Sequence, residues 1–391
     1  MTNPAPKPEK DETENLPKAR KAAARHKRAA APRRPATARR TAEPLPPLDA
    51  YAPHDPEAAG PIDGAASAPL DPHAAAPLQP AAHPKQSDLA EEVGAKLAIF
   101  EDMVFPTPAQ IATMRKMDTL RHMGLHQASS VQRRAYRFLQ PSGAGKSTCA
   151  KLLKKSVENQ PGRDRSKKPV LHVTLSTTGT PKSLATSILS AFGDGYAGRG
   201  EADILLERVK LCMQEFGVEL LIIDELNHFR QKHLAADAAN TIKNILTLGW
   251  APIVLMGTDE AQSLFANNRE LKNRCAPQDI LRPYDFNDED NDLPVWIEFM
   301  KRIDAGMVSR GVLEEKSGLN DPTLAKDLCE ASNGLIGEFH NIVLSALEPA
   351  LLAGESHLSY DRLVEAIDAW CLADGTIDHN PLRLRRTGEA K

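Results

Sequence analysis

Residues 134–148, Arg-Ala-Tyr-Arg-Phe-Leu-Gln-Pro-Ser-Gly-Ala-Gly-Lys-Ser-Thr, constrain this chain more than any other stretch. A short apolar run meets a glycine-rich turn that ends in Lys146 and Ser147. Such a turn between a strand and a helix aims backbone N–H groups inward at the helix start, where the helix dipole also favours an anion. The stretch therefore predicts a strand, a phosphate-binding loop over Ser142, Gly143, Ala144, Gly145, Lys146, Ser147 and Thr148, and a helix running to about Glu158. Lys146 would reach the outer phosphates, and the Ser147 hydroxyl would ligate a divalent cation. The pattern G-x-x-x-x-G-K-[ST] asks for glycine at position 140, and the sequence has Gln140. The strand is also unusual, because Arg133, Arg134 and Arg137 interrupt what should be a near-continuous apolar run. Either the strand is short or the arginines reach out at its ends.

A second motif lies about 80 residues on, roughly one βαβ unit later. Leu220-Leu-Ile-Ile-Asp224-Glu225 is a buried strand that closes on two acids. In a parallel sheet, ligands bind at the carboxyl ends of strands, beside the phosphate loop. Asp224 would hold Mg²⁺ together with Ser147, and Glu225 would orient the attacking water or take its proton. The pair of motifs implies ATP and Mg²⁺ as cofactors. The next strand, Pro252-Ile-Val-Leu-Met256, ends at Gly257-Thr258-Asp259. Thr258 is placed to face the γ-phosphate, although a capping turn accounts for the same residues. Farther on, Arg269 and Arg274 precede an expected strand over 279–282. Arg269 reads as part of a solvated helix face. Arg274, nearer the strand, is the better candidate for an arginine finger reaching a neighbouring subunit's nucleotide.

The rest of the chain fits an α/β layer followed by helices. Expected strands at 170–175, 218–225 and 252–256 alternate with helices at 182–192, 201–216 and 233–248, which predicts a parallel sheet flanked by helices. Two helices, 88–103 and 108–124, precede the phosphate loop. From about residue 292 the pattern is helical only: 292–310, 322–332, 335–352 and 359–373. These segments suggest four parts: a disordered tail over 1–88, a nucleotide-binding α/β domain over 89–288, a helical lid over 289–375 and a basic C-terminal tail over 376–391.

Composition supports the first boundary. Seventeen of the 30 prolines lie before residue 90, among alanine runs with few aromatics, so that stretch buries too little apolar surface to offset the entropy of ordering it. Residues 18–40 hold ten Lys and Arg and no acid, in a chain whose net charge is −3. Such a block suits phosphate backbones, an acidic partner or a solubilising role. Asp11, Glu12 and Glu14 argue against a transit peptide. The five cysteines are widely spaced, with no metal-ligand spacing, which suggests a reducing cytoplasm. No run approaches the ~18 apolar residues of a membrane span. No Ser-His-Asp set or metal cluster supports an enzyme acting on a small substrate.

Phosphate loop, LLIIDE strand, IVLMGT strand, late arginine and helical lid, in that order, resemble an AAA+ ATPase. Finer details resemble the TniB/TnsC branch, the ATPase subunits of multi-component DNA transposons. They are LLIIDELNHF with the following AANTIKNILTLGWAPIVLMGTDEA, Val173-Thr-Leu-Ser before Gly179-Thr-Pro-Lys182-Ser-Leu, Phe105-Pro-Thr-Pro108, and Asn380-Pro381-Leu382. The resemblance covers about residues 90–382. It implies homo-oligomers, as rings or filaments, assembling on duplex DNA when ATP is bound. It also implies target marking, recruitment of a transposase (with a TniQ-like target-selection protein), and disassembly on hydrolysis, in the bacterial cytosol near the nucleoid. By the same analogy Lys182, Arg230 and Lys232 would face DNA, mainly at phosphates. Glu338, where the resemblance suggests a cation, and Gln140 point to slow turnover. Two alternatives stay open: an AAA+ initiator, loader or secretion-linked ATPase, and a nucleotide-gated scaffold with negligible turnover.

Overall fold

The computed structural model describes residues 86–176, 179–228, 232–277 and 281–387. The N-terminal segment and its basic block lie outside the described residues.

Four strands, β1 (Ala135–Leu139), β2 (Val170–Thr174), β3 (Leu220–Asp224) and β4 (Ile253–Gly257), form one parallel sheet in the order β1-β4-β3-β2. Every residue of β3 and β4 is buried, which is why both read as unbroken apolar runs. Alternation then sorts the side chains by face. Leu220 and Ile222 pack with Met114, Met117 and Leu153, so α2 (Pro108–His126) and α3 (Lys146–Glu158) cover that face. Leu221 and Ile223 meet α4 (Pro181–Phe192), α5 (Ala202–Glu215) and α6 (Lys232–Thr247) through Leu184, Ile188, Val209 and Ile242. The short helices α7 (Gln262–Ala266) and α8 (Arg269–Arg274) follow β4.

β1 is indeed short. Arg133 and Arg134 lie outside it; Arg133 donates to the Gly249 carbonyl and Arg134 to the Asn273 carbonyl. Arg137 sits over the Phe265 ring, 4.9 Å from its centre. The strand expected over 279–282 falls partly outside the described residues. A bridge between Ala135 and Cys275, with the Ala276 N–H donating to the Ala135 carbonyl, brings the preceding segment beside β1.

Helices α9 (Asp292–Ser309), α10 (Pro322–Ala331), α11 (Ile336–Leu352) and α12 (Tyr360–Ile367) build a second core around Trp296, Phe299 and Phe339. Their ring centres lie 5.5–5.9 Å apart in tilted or edge-on pairs. The expected helix 359–373 continues past α12 as a π-helical turn, Asp368–Leu372. No single helix among the described residues is long and apolar enough to cross a membrane.

Two boundaries differ from expectation. The helix α1 (Gln86–Glu101) falls within the expected α/β domain, yet its Val93 and Phe100, with Met103 and Phe105 beyond it, belong to the lid core. Phe100 stacks on His340 of α11, 4.7 Å between centres. The C-terminal segment read as a basic tail instead forms α13 (Pro381–Thr387) against the lid, with Leu382 fully buried. Its arginines are engaged by lid acids: Arg383 with Asp368, Arg385 with Asp327 and Arg386 with Asp361.

At the amino end of β3, Glu219 joins Arg121 and Arg163 in a cluster that also contains Asp118. Arg121 is 1% exposed, so these ion pairs are largely withdrawn from water. Burial acts to raise the Glu219 pKa, but the hydrogen bonds and charges of Arg163 and Arg121 outweigh it and hold the carboxyl below its ordinary value. Its contribution is therefore complete above the unfolded value of about 4.3 and is lost as pH falls through the folded one. Glu219→Gln is expected to destabilise the protein by about 3 kcal/mol at pH 7, because it leaves buried arginine charge uncompensated. The deficit should shrink toward zero in strong acid. Urea denaturation at neutral and acidic pH checks this, and an unchanged deficit in acid would contradict it.

Candidate nucleotide site

Parallel register brings the predicted residues to one edge of the sheet. Leu139 pairs with Gly257 and Ile223 with Leu255, so the ends of β1, β3 and β4 lie side by side. The Gln140 N–H donates to the Gly257 carbonyl, extending the ladder by one residue. There the chain turns. Gly143 and Gly145 take φ of 77° and 84°, the left-handed region that side-chain-bearing residues avoid. A Cβ at Gly145 would collide with the Gln110 amide. Gln110 is fixed there by the capping box of α2: the Thr107 N–H donates to Gln110 Oε1, and the Gln110 N–H to Thr107 Oγ1.

Gln140 itself is buried and does not line the cavity.

Lys146 donates to two carbonyls of its own loop, Gln140 at 2.9 Å and Pro141 at 2.8 Å. Burial lowers its pKa, while the charges of Asp224, Glu225 and Asp259 act to raise it. The Ser147 hydroxyl donates to Asp224 Oδ2 at 2.7 Å, joining the two motifs across 77 positions of sequence. The other carboxylate oxygen accepts the Glu225 N–H at 2.9 Å. Burial acts to raise the Asp224 pKa; hydrogen bonds from His172 and Ser147 prevail and keep it low. Glu225 has φ 63°, left-handed without being glycine, and its carboxylate accepts from Asn227 Nδ2 at 3.1 Å.

A cavity of about 560 Å³ opens between this loop and the lid. Ser142, Gly143, Gly145, Lys146, Ser147, Thr148 and Glu225 line one side; Phe299, Ile303, Gly337, Glu338 and His340 line the other. Residues 100–105 close its end. The Gly337 N–H donates to the Gly143 carbonyl at 2.9 Å, so α11 sits directly on the phosphate loop. Glu338 accepts from the Trp370 indole at 2.9 Å.

The remaining candidates are distributed differently. Ala144 is buried within the loop. Thr258 follows β4, and its hydroxyl oxygen is buried without a partner; it is not among the cavity-lining residues. Arg274 lies beside Gln132, Arg133 and Arg134 at the amino end of β1, the opposite end of the sheet from the loop, and donates to Gln132. Within one protomer it does not meet the site. Lys182 is exposed on the first turn of α4. Arg230 and the Lys232 side chain lie outside the described residues. Cys149 is buried, its thiol pushed up to about 12, which fits a packing role.

Sequence reasoning missed Gln110, His172 and Asp259. Asp259 stood next to a named residue, Thr258. Gln110 could have been found from the Thr107-x-x-Gln110 capping-box pattern, although its contact with Gly145 could not. His172 carries no local signal, because its partner lies on the next strand.

A parallel sheet with a phosphate loop after its first strand, an acid pair after its third and a helical lid seated on the loop is the AAA+ fold. Residues 104–283 match the family described as bacterial TniB protein, and over that stretch the chain is TniB-like. No curated protein matches the chain. Solved structures that it resembles include the ORC2 protein of Aeropyrum pernix in ADPNP–ADP complexes, at 17% identity, with a TM-score of 0.49 over 70% of this chain and 71% of that one. Another is CDC6p from Pyrobaculum aerophilum, at 14% identity, with a TM-score of 0.49 over 69% of each chain. Domain III of the Thermotoga maritima replication initiation protein DnaA matches at 16% identity, with a TM-score of 0.41 over 69% of this chain and 95% of that one.

Gly337 has no room for a side chain: a Cβ there would lie 2.7 Å from Gly143 Cα. Alanine favours helix over glycine by up to about 1 kcal/mol, so Gly337→Ala should not harm α11 itself. It is expected to lift the lid off the loop and weaken nucleotide binding about tenfold, the equivalent of about 1.4 kcal/mol. Titration with a fluorescent nucleotide tests this, and unchanged affinity would contradict it.

Proposed function

We propose that this protein is an ATP-dependent, DNA-binding regulator of transposition. ATP binds between the phosphate loop and the lid with Mg²⁺, the protomers assemble on duplex DNA, and the assembly marks the target and recruits a transposase. Hydrolysis then drives disassembly. The observation that carries the nucleotide part is the 2.7 Å hydrogen bond from Ser147 Oγ to Asp224 Oδ2. A hydroxyl and a carboxylate at that spacing suit one hard cation, because the hydroxyl can ligate through a lone pair while donating to the carboxylate. The left-handed glycines and the cavity suit a polyphosphate. The TniB match supports the link to transposition.

The roles follow from this reading. Ser142 to Thr148 wrap the phosphates, and Lys146 exchanges its loop carbonyls for phosphate oxygens. Ser147 and Asp224 hold the cation. Bound Mg²⁺ supplies neutralising charge at the phosphate oxygens. Glu225 orients water or takes its proton once Asn227 releases it. Thr258 senses the outer phosphate. Arg274, remote from its own loop, serves a neighbour's site. Lys182, Arg230 and Lys232 contact DNA phosphates, and a TniQ-like protein is a further partner. The location is the bacterial cytosol, at the nucleoid.

One observation favours a second reading, a nucleotide-gated scaffold with little turnover: the Glu225 carboxylate is already engaged by Asn227. Glu225→Gln separates the two. Under the leading reading, sedimentation with duplex DNA shows large complexes with ATP and not with ADP. The variant keeps ATP-dependent assembly and loses at least about 100-fold in hydrolysis, within the range general-base removal produces. Hydrolysis equal in wild type and variant supports the scaffold. Assembly indifferent to nucleotide sinks both.

A further inference from the structure

His172 stands in the middle of β2, where its neighbours Leu171 and Val173 are buried apolar residues. It pairs in register with Ile222, and its ring reaches Asp224 at the end of β3. His172 Nε2 lies 3.2 Å from Asp224 Oδ2. A carboxylate can only accept, so Nε2 carries the hydrogen and donates. The side chain is 12% exposed, and that of Asp224 is 3% exposed.

Asp224 therefore receives three donors from three places: Ser147 at the start of α3, His172 on β2 and the backbone of Glu225. Ser147 and His172 share Oδ2. Ser147 belongs to the phosphate loop, in the first turn of α3. The Glu225 N–H belongs to a left-handed residue at the strand end. Only His172 comes from the interior of a neighbouring strand, whose backbone is fixed by the sheet ladder.

We infer that His172 is a positioning residue for Asp224, fixing the carboxylate's orientation and so setting how tightly the site holds a divalent cation beside the nucleotide. The inference rests on the reading of Ser147 and Asp224 as the cation-holding pair. A donor that orients a ligating carboxylate from outside changes metal affinity about 10–100-fold when removed.

The test uses the full chain and two variants. His172→Leu removes the donor at similar volume; His172→Gln restores an N–H at the end of a side chain of comparable reach. Binding of a fluorescent, non-hydrolysable ATP analogue is titrated with Mg²⁺, and again in metal-free buffer. The Mg²⁺ concentration for half-maximal binding is expected to rise about tenfold or more in His172→Leu and to return to within about threefold of wild type in His172→Gln. Metal-free binding should stay unchanged in both. A Mg²⁺ midpoint in His172→Leu equal to wild type overturns the positioning role. So does metal-free binding that falls as far as Mg²⁺-dependent binding, since that marks a general structural loss. If wild type binds the analogue with no dependence on Mg²⁺, the underlying reading of Ser147 and Asp224 fails instead.

Discussion

A carboxylate buried at the end of a parallel sheet must be paired or hydrogen-bonded, and the site depends on how Asp224 meets that demand. Its donors come from the phosphate-loop helix, from β2 and from the residue after it. The Glu225 contact is local, but those of Ser147 and His172 span 77 and 52 positions. These two exist because the β1-β4-β3-β2 order lays the strand ends side by side. The same order puts Asp259 near enough to Lys146 to act on its charge. The site is thus a consequence of the sheet.

The second dependence is on the lid. Gly337 and Gly143 touch backbone to backbone, an approach that leaves no room for a side chain at 337, while the left-handed φ favours glycine at 143. Phe105 lies against Gly306 of α9, while Arg302 donates to the Pro106 carbonyl and sits over the Phe105 ring. Residues 100–106 therefore join α1 and the lid to α2, whose Gln110 in turn supports Gly145. Loop, lid and linker line one cavity, so a molecule bound there meets all three.

Much of this was legible in the sequence. The phosphate loop, LLIIDE and IVLMGT each carry their signal within one segment, and full burial of β3 and β4 explains their apolar runs. Helical spacing in residues 88–103 showed that an apolar stripe exists, but a stripe does not say which core it joins; α1 went to the lid. Arginines 383, 385 and 386 looked like a free basic tail because their acidic partners lie up to 58 positions away. His172 was invisible for the same reason, since a histidine inside a strand reads as filler until the neighbouring strand is placed. Gln140 looked like damage to the loop, whereas it is buried, extends the strand ladder through its N–H and accepts from Lys146 through its carbonyl.

Arg274 lies at the far end of the sheet from its own phosphate loop, so the role proposed for it requires a site shared between protomers. The most direct measurement is electron microscopy of the full chain with duplex DNA and a non-hydrolysable ATP analogue. The expected result is a ring or filament around DNA in which each nucleotide lies between Ser147 and Asp224 of one protomer and Arg274 of the next. Protomers joined through other surfaces, with Arg274 facing solvent and the phosphate loop empty, would contradict the account.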